Sequence, residues 1–285
     1  MQKFVNVEIV NLRSVASTDA NSPIGVLTLG QSVDDLGDGP PGWHHVRVQQ
    51  GRKKVEGFAV EGLADSRFKW TTAKRPTLRD PAAPAREALV AAAVEQWLRF
   101  DKGSGQEDVE PYSGFIGKMW QAFGENYTGK TNVPWSAVAI SLMVRNAARN
   151  FAGYAEFKES VGHSRYIWDA IKKAASGDTS APFWGVRLPM ARPQVGDIIG
   201  NWRTVPYTFD QYLNAATNPE TPSHADIVVA MGPEVVLAIG GNVKNSVYAT
   251  GYQLTADGFL TPNRRIQADG TVVGEAIVLM TNRVG

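Results

Sequence analysis

A chain of 285 residues, 43% hydrophobic and 20% charged with a formal net charge of +1, has the composition of a globular protein of one large domain or two smaller ones. The near-neutral balance gives no electrostatic reason to expect nucleic acid or a membrane surface as partner. No run approaches the roughly 18 apolar residues that span a bilayer. With no cysteine in the chain, disulfides, thiolate metal sites and cysteine nucleophiles are excluded.

In chain order, the N-terminal "MQKFVNVEIVNLRS" alternates as a strand does and lacks the basic-then-apolar layout of a secretory signal. The chain is then expected to be cytoplasmic, exported or released by a signal-independent route, or a form without its leader. "PIGVLTLGQSV", "WHHVRVQ" and "VEGFAVEGL" read as further short strands, punctuated by Asp38-Gly-Pro-Pro-Gly42 and Gly51. The spacing predicts a small β-barrel over residues 1–65. The order of these pieces resembles the bacterial SH3-like domain, which implies a wall-peptide-binding module with Trp43 in its binding face; the plainer expectation for Trp43 is a core position. Residues 66–84, rich in proline and basic side chains and without period, read as a linker.

From Ala85 the period becomes helical. "AREALVAAAVEQWLRF", "YSGFIGKMWQAF", "WSAVAISLMVRNAARNF" and "SRYIWDAIKKAA" predict four helices. Beyond residue 190, "VGDIIGNW", "HADIVVAMG", "EVVLAIGGNV", "SVYATGYQL" and "EAIVLMTNRV" predict strands. Helices first and strands afterwards give an α+β domain over residues 85–285, with helices packed on an antiparallel sheet.

The third helix carries the chemistry. From Ser136 to Val144 its only polar side chains are Ser136 and Ser141, so it is expected at the centre of the domain. Thr131 or Asn132 is the expected cap, with Pro134 in the first turn and Ser136 at the helix mouth. The helix dipole there stabilises an anion by about 0.3–1 kcal/mol, at most about 2, which leaves a hydroxyl protonated. Ser136 therefore needs a general base to be a nucleophile, and otherwise it is a capping serine.

His44 and His45 sit together on a strand of the first domain, which leaves His163 and His224 for the second. His224 opens an apolar strand and shares a face with Asp226. Asn242, in "AIGGNV", stands across from His224 if the turn at Gly232–Glu234 has three residues or the strand bulges at Gly240-Gly241. Ser136, His224 and Asn242 are then a candidate triad, with Asp226 as fallback orienter.

Two competing motifs are weaker. "GENYTGKT", residues 124–131, fits the phosphate-loop pattern, but a helix rather than a strand is expected before it. The acidic cluster Glu107, Asp108 and Glu110 has the composition of a carboxylate pair, and more simply of a solvated loop. No spacing suggests a metal site, and no cofactor is expected.

The sequence "PWSA…GDI…HADIVV…IGGNV" resembles the papain-like cell-wall amidases and endopeptidases of the NlpC and CHAP families. Over roughly residues 90–285 it is more closely similar to the domain-of-unknown-function 2272 family. The resemblance implies a papain-like fold and a peptidoglycan hydrolase acting on stem peptides, with a delivery or immunity protein as a further partner. Ser136 stands where those enzymes keep cysteine, His224 at their base and Asn242 at their third polar residue. Trp135 and His163 belong to the closer family's pattern as supporting positions. The substitution of cysteine by serine leaves two alternatives, a catalytically inactive scaffold on the same fold or a serine esterase or acyltransferase.

Overall fold

A computed structural model describes residues 1–19, 21–65, 68, 70–262 and 275–285. The chain forms two compact units, Met1–Ala82 with Ala230–Pro233, and Ala83–Val229 with Glu234–Gly285. No helix among the described residues is long and apolar enough to cross a membrane.

The first unit is built from β1 (Gln2–Val5), β2 (Ile9–Arg13), β3 (Pro23–Thr28), β4 (Ser32–Asp35), β5 (Trp43–Gln50), β6 (Lys53–Val60), β7 (Gly62–Ala64), β8 (Lys74–Pro76) and β9 (Leu78–Arg79). Seven of them join in the order β3-β2-β6-β5-β4-β1-β9, while β7 and β8 pair separately. The alternation seen in the sequence is the cause: Val10, Leu12, Leu27, Val46 and Val48 all turn into one cluster. Two expectations change. Among the described residues the hydrogen-bonded order ends at β3 and at β9, so the sheet they form is not closed into a barrel. The stretch read as a linker carries β8 and β9; residues 66, 67 and 69 of it lie outside the described residues. Arg75, Thr77 and Leu78 are buried there, and Leu78 pairs with Val5, because alternation over so short a run is masked by its prolines.

The second unit is α+β with an antiparallel sheet. Helices α1 (Pro84–Arg99), α2 (Tyr112–Gln121), α3 (Ser136–Ala148) and α4 (His163–Ser176) precede β10 (Phe183–Val186) and β11 (Ile198–Trp202). Then follow α5 (Phe209–Asn214), β12 (Ser223–Met231), β13 (Val235–Val243), β14 (Ser246–Gln253) and β15 (Ala276–Asn282). The sheet order is β10-β15-β11-β12-β13-β14. Helix α3 is buried nearly all round and packs on α1 and β13, as an apolar helix must. β10 and α5, each of six residues or fewer, have too short a pattern to be read from sequence.

One buried ion pair ties the ends of this unit together. Arg86 Nη1 on α1 donates to Asp197 Oδ1 at 2.8 Å, and the Asn282 backbone N–H donates to the same oxygen at 2.8 Å. Burial pushes the Asp197 carboxyl above its ordinary value, and Arg86 pulls against that rise. The "GD" motif is thus a structural anchor, with Gly196 at φ +83° beside the Arg86 side chain.

Candidate active site

Ser136 is the first residue of α3, after Trp135 at the cap position, whose side chain makes no capping bond to the helix. The expected caps are displaced: Thr131 closes a separate turn at Gly129–Thr131, and Asn132 takes a left-handed backbone at φ +50°. The tryptophan is held rigidly instead. Trp135 stacks on Phe100 at 5.6 Å between ring centroids, and its Nε1–H donates to Glu107 Oε2 at 2.8 Å. One member of the acidic cluster therefore braces the residue before the serine. Glu110 faces Lys130 at 3.5 Å in solvent.

The hydrogen bond of Ser136 Oγ goes to His163 Nε2, at 2.7 Å. His163 is itself the first residue of α4, so two helix N-termini supply the two ends of this bond. The other ring nitrogen, Nδ1, pairs with the Tyr166 hydroxyl. Tyr166 lies three residues along the same helix, the spacing that brings side chains onto one face. Burial, with the charge of Asp226 and the neighbouring Tyr212 in support, holds the Tyr166 phenol well above its ordinary range, so it stays protonated. A Ser136 O–H can donate to Nε2 only when His163 carries its proton on Nδ1, and the Tyr166 oxygen then accepts that proton's hydrogen bond.

His224 stands beside this pair, its ring centroid 5.0 Å from that of His163. Its Nε2 is 2.8 Å from Asp226 Oδ1, and the Tyr252 O–H donates to Asp226 Oδ2. Asn201 Nδ2 donates to the Tyr252 oxygen at 3.0 Å. Asn201 is also the residue directly across from His224 in the β11–β12 register. His163 is 5% exposed, Ser136 3%, His224 2% and Asp226 not at all. Among the described residues no group of three or more histidine and carboxylate side chains is arranged to hold a metal ion.

Set against the expected triad, Ser136 and His224 fall in one neighbourhood, and His163 moves from a supporting place to the hydrogen-bonding partner of Ser136. The contact on His224 Nε2 comes from Asp226, two residues along the same strand. Asn242 is half-buried at φ +51°, in the irregularity where the β13–β14 register shifts. In "GGN" the glycines have the clearer role: a Cβ on Gly240 would overlap Asp226 Oδ1 and stand 3.0 Å from His224 Nε2, and one on Gly241 would meet Ala139 and Trp135. Tyr166, Tyr252 and Asn201 were not singled out in the sequence. Only Tyr166, at three residues from His163, had a local signal.

The phosphate-loop pattern is not a phosphate loop. Gly129–Thr131 form a single turn closed by Thr128 and Thr131, and α2 lies before it where a strand would be required. In the first unit, half-buried Trp43 lines a cavity of about 380 Å³ with Ile9, Arg13, Val60, Leu63 and Lys74.

Residues 97–275, more than half of the chain, match the family described as an uncharacterized protein conserved in bacteria, domain of unknown function 2272. The chain belongs to this family. A solved structure entitled "Structure of NlpC2 from Trichomonas vaginalis" is similar at 14% identity, over 99% of this chain and 74% of that one, with a TM-score of 0.21, which is too slight to carry an argument. No curated protein matches the chain.

Proposed function

We propose that this family member is a serine hydrolase of amide bonds, with Ser136 as nucleophile and His163 as its general base. The observation that carries the reading is the 2.7 Å bond between Ser136 Oγ and His163 Nε2 at two helix N-termini. The backbone N–H of Ser136, in the first turn of α3, is a donor toward a developing oxyanion. Tyr166 takes the orienting role that an asparagine or aspartate plays in other triads. Peptidoglycan stem peptides are the proposed substrate class, resting on the resemblance of the Ser136, His224 and Asn242 motifs to cell-wall amidases and endopeptidases. The cavity beside Trp43 is the proposed place where the first unit takes a wall peptide.

A fluorophosphonate probe tests the nucleophile. Labelling of Ser136 in the wild type, absent in Ser136→Ala and lowered at least about 100-fold in His163→Gln, is the expected result. Incubation with purified sacculi tests the substrate: soluble peptide released by the wild type and not by Ser136→Ala supports the wall reading, and equal release from both ends it.

The burial of Ser136, at 3% exposed, favours a second reading in which the serine and both histidines form a buried polar network of a binding scaffold. It predicts sacculus binding without release, unchanged in Ser136→Ala.

A further inference from the structure

Resting on Ser136 as nucleophile, we infer that the two histidines divide the proton transfers, His163 as general base and His224 as general acid toward the leaving amine. The two rings are 5.0 Å apart, close enough to serve one reacting bond, yet their surroundings favour opposite charge states. His163 opens α4, where the positive end of the helix dipole disfavours an imidazolium, and its Nδ1 faces a phenol held neutral. His224 Nε2 lies 2.8 Å from Oδ1 of Asp226, a carboxylate with no exposed surface, and an opposite charge at that distance favours the imidazolium. The Tyr252 O–H donates to the other carboxylate oxygen.

The proton count closes over a full turnover. In acylation the Ser136 oxygen bonds to the carbonyl carbon and its proton passes to His163 Nε2. The carbon–nitrogen bond breaks as His224 gives a proton to the amine nitrogen. In deacylation a water loses its proton to the now neutral His224 and bonds to the acyl carbon. The Ser136 oxygen leaves and takes back the proton held on His163. The sum is amide plus water to acid plus amine, with both histidines restored. Asp226 is a positioning residue in this scheme, since it acts through the His224 charge.

The test uses two probes with one acyl group, N-acetyl-L-alanine p-nitrophenyl ester and N-acetyl-L-alanine p-nitroanilide, beside fluorophosphonate labelling of Ser136. Nitrophenolate and fluoride leave without a proton, whereas nitroaniline requires one. His163→Gln is expected to lower labelling and both turnovers at least about 100-fold. His224→Gln is expected to lower anilide turnover at least about 100-fold while labelling and ester turnover fall less than about 10-fold. Asp226→Asn, which keeps the side-chain shape, should give the same split and covers the case in which His224→Gln does not fold. Equal losses on ester and anilide in both variants, or no loss of anilide turnover in either, overturn the division of roles. A wild type that labels and cleaves the ester but not the anilide overturns it too. Absence of labelling in the wild type instead removes the nucleophile beneath it.

Discussion

Each unit of this protein sets a histidine against an aspartate at almost the same distance. In the first unit His45 Nδ1 lies 2.7 Å from Asp38 Oδ1, and in the second His224 Nε2 lies 2.8 Å from Asp226 Oδ1. The side chains of the first pair are 20% and 69% exposed, and those of the second 3% and 0%. Two unit charges about 4 Å apart interact by about 1 kcal/mol in water and about 4 kcal/mol at the effective dielectric of a protein. Distance alone thus says little. The buried pair lies out of reach of water beside His163, the hydrogen-bonding partner of Ser136, and the surface pair trades easily with solvent.

The comparison is broken most directly by removing each carboxylate in turn. Asp226→Ala takes the carboxylate away from a buried imidazole and removes the acceptor of the Tyr252 O–H, and is expected to destabilise the second unit by about 3–5 kcal/mol. Asp38→Ala is expected to change stability by less than about 1 kcal/mol. Urea unfolding followed by tryptophan fluorescence measures both, and similar losses from the two variants would show that burial is not what separates the pairs.

Room beside the buried pair comes from Gly240, which sharpens the same contrast. Gly240→Ala pushes a methyl into Asp226 Oδ1 and should cost about 1–3 kcal/mol through overpacking. Gly51, at the β5–β6 turn of the first unit, has nothing near its missing Cβ, but its φ of +59° strains most other residues. Gly51→Asn, which tolerates that backbone, should be nearly neutral. Thermal unfolding of the two variants reads the difference; a neutral Gly240→Ala would mean that the His224–Asp226 pair has space to move.

The second unit also carries tyrosines that the first lacks, and they set an alkaline limit. Burial pushes Tyr154 up to about 12 from its ordinary 10, and Tyr166 and Tyr212 are raised as well. Each folded value lies above the unfolded one, so the contribution is complete below pH 10 and is lost as pH rises through the folded value. For Tyr154 the window is about pH 10 to 12, with a slope of up to about 1.4 kcal/mol per pH unit. Tyr154→Phe removes that slope, at the cost of the bonds to Ala85 and Asn282. Parallel stability curves for wild type and Tyr154→Phe between pH 9 and 11.5 would contradict the assignment.

What the sequence made legible follows the reach of local pattern. α1 to α4 were readable from a 3.6-residue period, and β11 to β15 from short apolar runs that are buried almost throughout. Ser136 at the mouth of α3 was readable from one polar side chain before an apolar run. The partner of Ser136 was not, since His163 lies 27 residues away on another helix and no period links them. Hairpin parity pointed to β13 for the His224 orienter, whereas a side chain can reach its own strand neighbour two residues on, as Asp226 does. Tyr252 reaches Asp226 across 26 residues, a contact made by sheet order alone. Charge pattern misled in the other direction at 66–84, where prolines hid two short strands.

The smallest effect is expected where the sequence held its most specific-looking motif. Lys130 is the lysine of "GENYTGKT", yet it stands in solvent opposite Glu110 at 3.5 Å, on a turn rather than at the start of a long helix. An exposed pair of this kind contributes at most a few tenths of a kcal/mol. Lys130→Ala should leave fluorophosphonate labelling within about twofold of wild type and the unfolding midpoint unchanged within error. Titration of the wild type with ATP and magnesium should give no heat that Lys130→Ala abolishes. A nucleotide affinity lost in that variant would mean that the loop reorganises around phosphate. The turn made by Thr128 and Thr131 argues against it, because it already uses the backbone N–H of Lys130 in its own hydrogen bond.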